Sequence, residues 1–330
     1  MHGFSLRPAG AVETTLQSIP DSPLKPRHGP ASAGGVGAPR PAAGAGPPWV
    51  SAAALHVAVA LFGVAGLFGK WVAAPALVIV FGRVAVASLA FAALLRLRPL
   101  RGPQPAGRRL AALWACGGLL ALHWVTFFQA IQVSTVAVGL LAYSTAPVFV
   151  VLLEPLGFRE RLSRRALALA LLAFAGVALI VPRWQAGEAL LQGVGWGALS
   201  GVSFALLALC NRALVRVHGA IRVAMHQDLA ALVLLAPLLP LAWSPLALRD
   251  VALLVALGLF CTALAHALFI HSMAVLPARV AAIASALEPV YGIALAWLLL
   301  GEVPALRTLA GGALILAAVL WATLRPERTG

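Results

Sequence analysis

The residues best suited to chemistry are charged side chains inside long apolar runs. Glu288 stands in "ALEPVYGIALAWLLLGE" (286–302), directly before Pro289, and Arg83 ends the triplet "FGR" in another apolar run. A charge at the centre of a membrane helix costs about 2.5–3.5 kcal/mol on insertion scales, so it is usually paired or functional. Pro289 also removes one helical hydrogen bond beside the carboxylate. The pattern predicts a proton or cation acceptor at Glu288 and an anion contact at Arg83, with structural pairing as the alternative for both.

An aromatic and polar set in other apolar runs supplies further candidates. "LHWVTFFQ" (122–129) puts His123 and Phe127 four residues apart, so they share a helix face. Aromatic and polar side chains on one helix face could line a site for an organic substrate. Packing between helices is the alternative. The full set of predicted substrate or ion-pathway residues is Glu288, Arg83, His123, Trp124, Phe127, Gln129, Tyr143, Ser144, Asp228, His266 and His271.

Metal and cofactor chemistry is not indicated. His266 and His271 are five residues apart and point about 140° from each other on a helix of about 3.6 residues per turn, so they form no chelating pair. They remain candidates for a proton relay. The three cysteines lack the CxxC or Cys/His spacing of a metal site and are expected to be small apolar residues. We therefore predict no metal and no cofactor.

The elements that carry these residues are membrane helices. The 330-residue chain is 62% hydrophobic and 10% charged, whereas about a quarter of residues are charged in soluble proteins. Apolar runs of about 20 residues, the length of a membrane-spanning helix, follow one another from residue 50. They are continuously apolar, which excludes the alternation of a membrane β-barrel. The predicted fold is an all-α integral membrane protein with ten transmembrane helices, at about 51–70, 75–95, 110–130, 134–155, 165–182, 191–211, 223–242, 250–272, 277–299 and 304–324.

The basic residues predict orientation rather than nucleic-acid binding. The net charge is +14, but the arginines cluster at the ends of apolar runs, as the positive-inside rule describes. With a cytoplasmic N-terminus, 19 Lys and Arg fall on the cytoplasmic side and 4 on the other. We expect a bacterial-type plasma (inner) membrane protein with both termini cytoplasmic. Its expected partners are the lipid bilayer and a small-molecule substrate, with no nucleic acid; a homodimer through Gly/Ala-rich helices stays open.

The two halves of the apolar region repeat one pattern. A shift of 142 residues aligns Pro147 with Pro289 and Glu160 with Glu302 without gaps, and we interpret these four as a helix-breaking repeat motif. Each copy holds five spans, so the second copy must enter the membrane in the opposite direction. Inverted repeats place a shared site near the midplane and support alternating access. The predicted parts are a disordered cytoplasmic tail (1–48), a first five-helix repeat (49–182) and a second (190–325).

These stretches resemble the drug/metabolite transporter superfamily, and within it the EamA-domain family. The likeness is carried by "FGR" (81–83), "VSTVAVGLLAYSTAPVFVVLLEPLGFRERLS" (133–163) and "LPARVAAIASALEPVYGIALAWLLLGEVP" (276–304), and it extends over about 50–325. The first copy departs from the second in reading "GFRE" where the second has "LLGE". The resemblance implies five-plus-five helices with cytoplasmic ends. It also implies movement of small metabolites, amino acids, sugars or drugs, in some members by the proton gradient.

The predicted function is therefore that of a secondary transporter and not of an enzyme. It would move a small organic metabolite, amino acid or drug-like solute by alternating access, with efflux as the expected direction and proton coupling open. No G-x-x-x-x-G-K-[ST] motif occurs, so energy must come from ion or substrate gradients. Two alternatives remain. One is an intramembrane serine hydrolase, suggested by Ser200 in "GALSG" and a later membrane histidine. The other is a channel, for which no charge ring or repeated filter is visible.

Overall fold

The computed structural model describes residues 48–99, 104–146, 148–150, 152–153, 164–180, 187–275, 284–285 and 287–324. All regular elements in these ranges are helical. The predicted tail up to residue 47 lies outside them, and so do Pro147 and Glu160 of the repeat motif.

The helices of the first half are α1 (Pro48–Trp71), α2 (Ala76–Leu97), α3 (Gly107–Val133), α4 (Val136–Tyr143) and α5 (Arg164–Ile180). Those of the second half are α6 (Glu188–His218), α7 (Ala220–Leu235), α8 (Leu239–Ala242), α9 (Leu248–Gly258), α10 (Ala265–Val275), α11 (Glu288–Leu300) and α12 (Leu306–Leu324). A 3-10 turn (Ala236–Leu238) joins α7 to α8, and a π-helical turn (Leu259–Leu264) joins α9 to α10.

Within the described ranges, six helical segments are long and apolar enough to cross a membrane: Trp49–Trp71, Ala76–Leu97, Gly107–Val133, Glu188–Val215, Ala220–Ala242 and Leu248–Ser272. Shorter apolar stretches in α4, α5, α11 and α12 overlap the other four predicted spans. The protein is thus a multi-pass helical membrane protein. The count of ten spans stays a prediction.

Helices of the two halves pack against each other. α1 lies against α10 and α11, and α3 lies along α6 and α7. Small residues allow these close crossings: a Cβ added at Gly117 of α3 would come 2.7 Å from the carbonyl oxygen of Gln227 in α7. At Gly63 of α1, it would come 3.1 Å from the carbonyl oxygen of Glu288 in α11. This interlocking brings side chains from both halves into one interior.

Two carboxylates of the second half accept hydrogen bonds from backbone amides of the first half, near helix ends. The Glu302 carboxylate accepts a 2.9 Å hydrogen bond from the amide of Val136, at the start of α4. The Asp250 carboxylate, at the start of α9, accepts a 3.1 Å bond from the amide of Ala73 in the α1–α2 connection. A carboxylate at a helix N-terminus satisfies an orphan amide and meets the positive end of the helix dipole. Glu302 therefore stabilises the start of another helix, while Gly301 (φ 69°) ends its own.

Candidate functional site

A small central cavity of about 50 Å³ lies between helices of both halves. Its wall contains seven of the eleven predicted pathway residues, namely Arg83, His123, Trp124, Phe127, Tyr143, His266 and Glu288. These come from α2, α3, α4, α10 and α11, so the site exists only when the halves are packed together.

Aromatic rings form one side of the cavity around His123. The ring centroid of His123 lies 5.2 Å from that of Tyr143, 5.1 Å from that of Phe204 and 6.2 Å from that of Phe127. Tyr143 and Phe204 meet edge to face at 5.4 Å. These separations are typical of favourable aromatic pairs. The result is a pre-formed apolar wall that could hold the carbon skeleton of an organic solute.

Arg83 is held in place by the π-helical turn and by Trp124. It is 1% exposed. Its Nε donates to Thr262 Oγ1 at 2.9 Å, and its Nη2 donates to the carbonyl of Cys261 at 3.0 Å. The guanidinium carbon lies 3.9 Å from the centroid of the Trp124 ring, within the range of a cation–π contact. These bonds use two of the five N–H donors of a guanidinium.

Two carboxylates lie near Arg83 without forming an ion pair with it among the described residues. Glu288 is 5% exposed and lines the cavity. It occupies the first turn of α11, where the helix dipole favours a negative charge. Pro289 has no N–H to give to the carbonyl of Ser285, four residues earlier, and Ser285 lines the same cavity.

The second carboxylate, Asp228 of α7, lies outside the cavity wall. It is fully buried, and its Oδ1 is 3.9 Å from Nδ1 of His266. Neither carboxylate oxygen has a hydrogen-bond donor among the described residues. A buried carboxylate without donors is costly. Because His266 lines the cavity, the Asp228–His266 pair places two neighbouring ionisable side chains between the cavity wall and the buried interior behind it.

Comparison with known proteins identifies the family. The EamA-like transporter family matches residues 49–181 and again residues 191–324, which together make up most of the chain. The protein belongs to the EamA-like transporter family.

Three relatives are similar over most of their length. "Uncharacterized transporter YxxF" of Bacillus subtilis is 24% identical over 276 residues, which are 82% of this chain and 88% of that protein. "Pseudopaline exporter CntI" of Pseudomonas aeruginosa is 29% identical over 250 residues, or 74% and 85%. A "Probable terminal-alkyne amino-acid exporter" of Streptantibioticus cattleyicolor is 30% identical over 279 residues, or 82% and 88%. A solved crystal structure shares 21% identity with a TM-score of 0.59, over 83% of this chain and 96% of that one, which supports the fold alone.

Some predicted pathway residues of this EamA-like transporter do not line the cavity. Ser144 is buried, and its hydroxyl donates to the carbonyl of Leu140 at 2.7 Å within its own helix. Gln129 is half-buried on α3, outside the cavity wall, and His271 on α10 is exposed. The geometry therefore gives none of these three a direct path to a solute in this cavity.

Other residues of the site were not among those predicted. Asn211 of α6 lines the cavity, and its Oδ1 accepts a 2.5 Å hydrogen bond from Nε2 of Gln227 in α7. Phe62, Phe204 and Phe269 complete the aromatic lining. Asn211 could have been found as a polar amide in the apolar run "LLALCN". The phenylalanines carry no such signal, because phenylalanine is common throughout membrane helices.

Ser200, the serine of the hydrolase alternative, meets His123, which precedes it in the chain, rather than a later histidine. Ser200 Oγ of α6 lies 2.8 Å from Nδ1 of His123 and 3.1 Å from the carbonyl oxygen of His123. Ser200 is fully buried and is not in the cavity wall. The contact fastens α3 to α6 behind the aromatic wall.

No group of three or more His, Cys, Asp and Glu residues that could hold a metal ion occurs within the described ranges.

Proposed function

We propose that this transporter exports a small zwitterionic organic solute, such as an amino acid or a derivative of one, through the central cavity. The observation that carries the proposal is that Arg83 and Glu288 line the same cavity beside aromatic rings. The N–H donors of the Arg83 guanidinium for which the described residues show no partner suit a carboxylate, since a planar guanidinium binds carboxylates well. Glu288 suits an ammonium group, and the aromatic wall suits an apolar side chain.

The names of the relatives support export as the direction of transport and an amino-acid-like compound as the solute. Two of them are named as exporters, one of pseudopaline and one of a terminal-alkyne amino acid. The duplicated family match fits two five-helix repeats of opposite orientation that alternate access to a shared site. As part of the proposal, the protein lies in the plasma (inner) membrane with both termini in the cytoplasm. A homodimer remains a prediction from sequence.

Charge balance supports coupling to protons. The described charged groups around the site are one cation, Arg83, and two carboxylates, Asp228 and Glu288, with His266 beside Asp228. In a low-dielectric interior an uncompensated negative charge is costly. A proton on one carboxylate would neutralise the site when no solute is bound. A zwitterion adds no net charge, so release of that proton depends on local contact. An ammonium group beside Glu288 would favour the ionised form of this carboxylate, and the proton would leave as the solute binds, which is the exchange that proton-driven export requires.

The test is flux into or out of proteoliposomes that contain the purified full chain. Zwitterionic amino acids, the corresponding amines, organic anions and neutral solutes are compared, with and without a pH gradient. We expect saturable flux of zwitterions and a large loss in Arg83→Gln and Glu288→Gln. The control, His271→Gln, changes an exposed polar residue outside the cavity wall. Full zwitterion flux in both cavity variants, with thermal stability unchanged, would overturn the proposal.

The 2.8 Å contact between Ser200 and His123 favours one other function, that of an intramembrane serine hydrolase. Such an enzyme needs a serine that can reach its substrate, activated by an oriented base. Ser200 is fully buried and its hydroxyl is also within 3.1 Å of a backbone carbonyl. We therefore expect Ser200→Ala to retain solute flux and to show no change in any peptide or ester hydrolysis above background. Loss of a measurable hydrolytic activity in this variant would favour the enzyme.

A further inference from the structure

A second cavity, of about 460 Å³, lies away from the central one, where α3 begins, α6 ends and α7 begins. Its lining contains Arg108, Arg109, His218 and Arg222 and includes no Asp or Glu. Arginine charges that line one cavity repel one another, so an anion that enters the cavity lowers this repulsion. The volume is in the range of ligand pockets, about 300–1,000 Å³.

The polar groups of this cavity are those that bind phosphate. Arg108 and Arg109 form no ion pair with a carboxylate among the described residues. Nε2 of His218 is buried without a hydrogen-bond partner in the same part of the chain. Burial, followed by the nearby charges of Arg109 and Arg222, lowers the pKa of His218. Guanidinium groups bind phosphate oxygens with paired, charge-assisted hydrogen bonds.

The backbone at this cavity also favours the binding of a phosphate group. α3 and α7 both begin at the cavity, and neither start has a hydrogen-bonding side-chain cap. The first amides of a helix lack internal partners, and the helix dipole is positive at that end. An anion in this cavity is favoured by two positive helix ends, which outnumber the single negative end of α6.

We propose that this cavity binds a phosphate group, either on the headgroup of an anionic lipid or on a soluble phosphate compound. The cavity lies at the ends of apolar helices, at the level where lipid headgroups meet a bundle of this kind. Val217, on its rim, is 60% exposed, so an acyl chain could lie along α6 while the phosphate enters the basic corner. The site is separate from the central cavity, with which it shares no lining residue.

The test measures thermal stability and lipid retention of the purified full chain in detergent. The additions are phosphatidylglycerol, phosphatidylcholine and inorganic phosphate in separate arms, and native mass spectrometry counts bound lipid. The double variant Arg108→Gln/Arg109→Gln removes two exposed arginines of the cavity. The matched control, Arg96→Gln/Arg98→Gln, removes two exposed arginines beyond the cavity lining, where α2 ends. Arg222 is 6% exposed and is left intact so that folding is preserved.

We expect phosphatidylglycerol to bind and to stabilise the wild type and the control more than phosphatidylcholine does. The cavity variant should bind it roughly 30-fold more weakly, from the usual contribution of two basic residues near a membrane surface. Stabilisation by inorganic phosphate alone, lost in the cavity variant, would support the site and assign it to soluble phosphate. The proposal is overturned if both double variants lose lipid binding equally, or if phosphatidylcholine and phosphate each match phosphatidylglycerol in every variant.

Discussion

Gly63 marks the place where α1 crosses α11 directly beside the cavity, so Gly63→Ala tests whether this crossing fixes the site. The added Cβ would lie 2.9 Å from Cβ of Tyr291, 3.1 Å from the carbonyl oxygen of Glu288 and 3.2 Å from the amide of Gly292. None of these atoms is the end of a flexible side chain. The methyl group can therefore be accommodated only if the two helices move apart, and that movement displaces the first turn of α11, which carries Glu288.

The size of the effect follows from two opposing contributions. Alanine stabilises a helix interior by about 1 kcal/mol relative to glycine, while overpacking a tight contact costs about 1–3 kcal/mol. The matched control is Gly195→Ala in α6, where an added Cβ has no atom within 4 Å, so only the favourable contribution remains. The free energies of unfolding of the two variants should thus differ by about 1–3 kcal/mol, with Gly63→Ala the less stable.

The assay is thermal unfolding of the purified variants in detergent, followed by solute flux in proteoliposomes. We expect Gly195→Ala to match or exceed the wild type in midpoint temperature and to transport normally. Gly63→Ala should unfold at a lower temperature than Gly195→Ala and should show a raised KM for the solute. If Gly63→Ala gains as much stability as Gly195→Ala and transports normally, the tight α1–α11 crossing described here is wrong.

Two further predictions concern the carboxylates of Glu302 and Asp228. Glu302→Gln keeps the shape of the cap on α4 but removes its charge, so the free energy of unfolding should fall by about 0.3–1 kcal/mol, with KM unchanged. Glu302→Ala removes the cap, so the free energy of unfolding should fall by about 0.5–2 kcal/mol. Equal stability of the wild type and both variants would contradict the cap. Asp228→Asn keeps the volume of the side chain beside His266 but removes its charge, so we expect solute exchange at equal pH to persist while accumulation driven by a pH gradient falls. Unaltered gradient-driven accumulation in Asp228→Asn would remove Asp228 from the proton path.

The sequence predicted the class of fold because the bilayer imposes a simple rule. A run of about 20 apolar residues must form a helix that satisfies its own backbone in lipid, and six such segments are present in the structure. The same rule makes a charge in such a run conspicuous. Arg83 and Glu288 were predicted for this reason, and the structure brings both into the wall of one cavity.

The partners of these residues could not be read from the sequence. Arg83 meets Thr262 across 179 positions of sequence, and Asp228 meets His266 on another helix. Such pairings depend on how each helix is rotated about its axis. A segment that is apolar on every face carries no sequence signal for this rotation. The exposure of His271 has the same cause, since five residues along α10 from His266 the helix presents a different face.

The most direct test of the central claim compares two ligands that differ by one carboxylate. Binding of the zwitterion transported best in proteoliposomes, and of the amine that lacks its carboxylate, is measured on the wild type and on Arg83→Gln. A hydrogen bond to a charged group contributes about 1.5–3 kcal/mol, so the variant should bind the zwitterion about 10- to 150-fold more weakly and the amine almost as well as the wild type does. An equal loss for both ligands, or no loss for either, would contradict the assignment of the Arg83 cavity as the solute site.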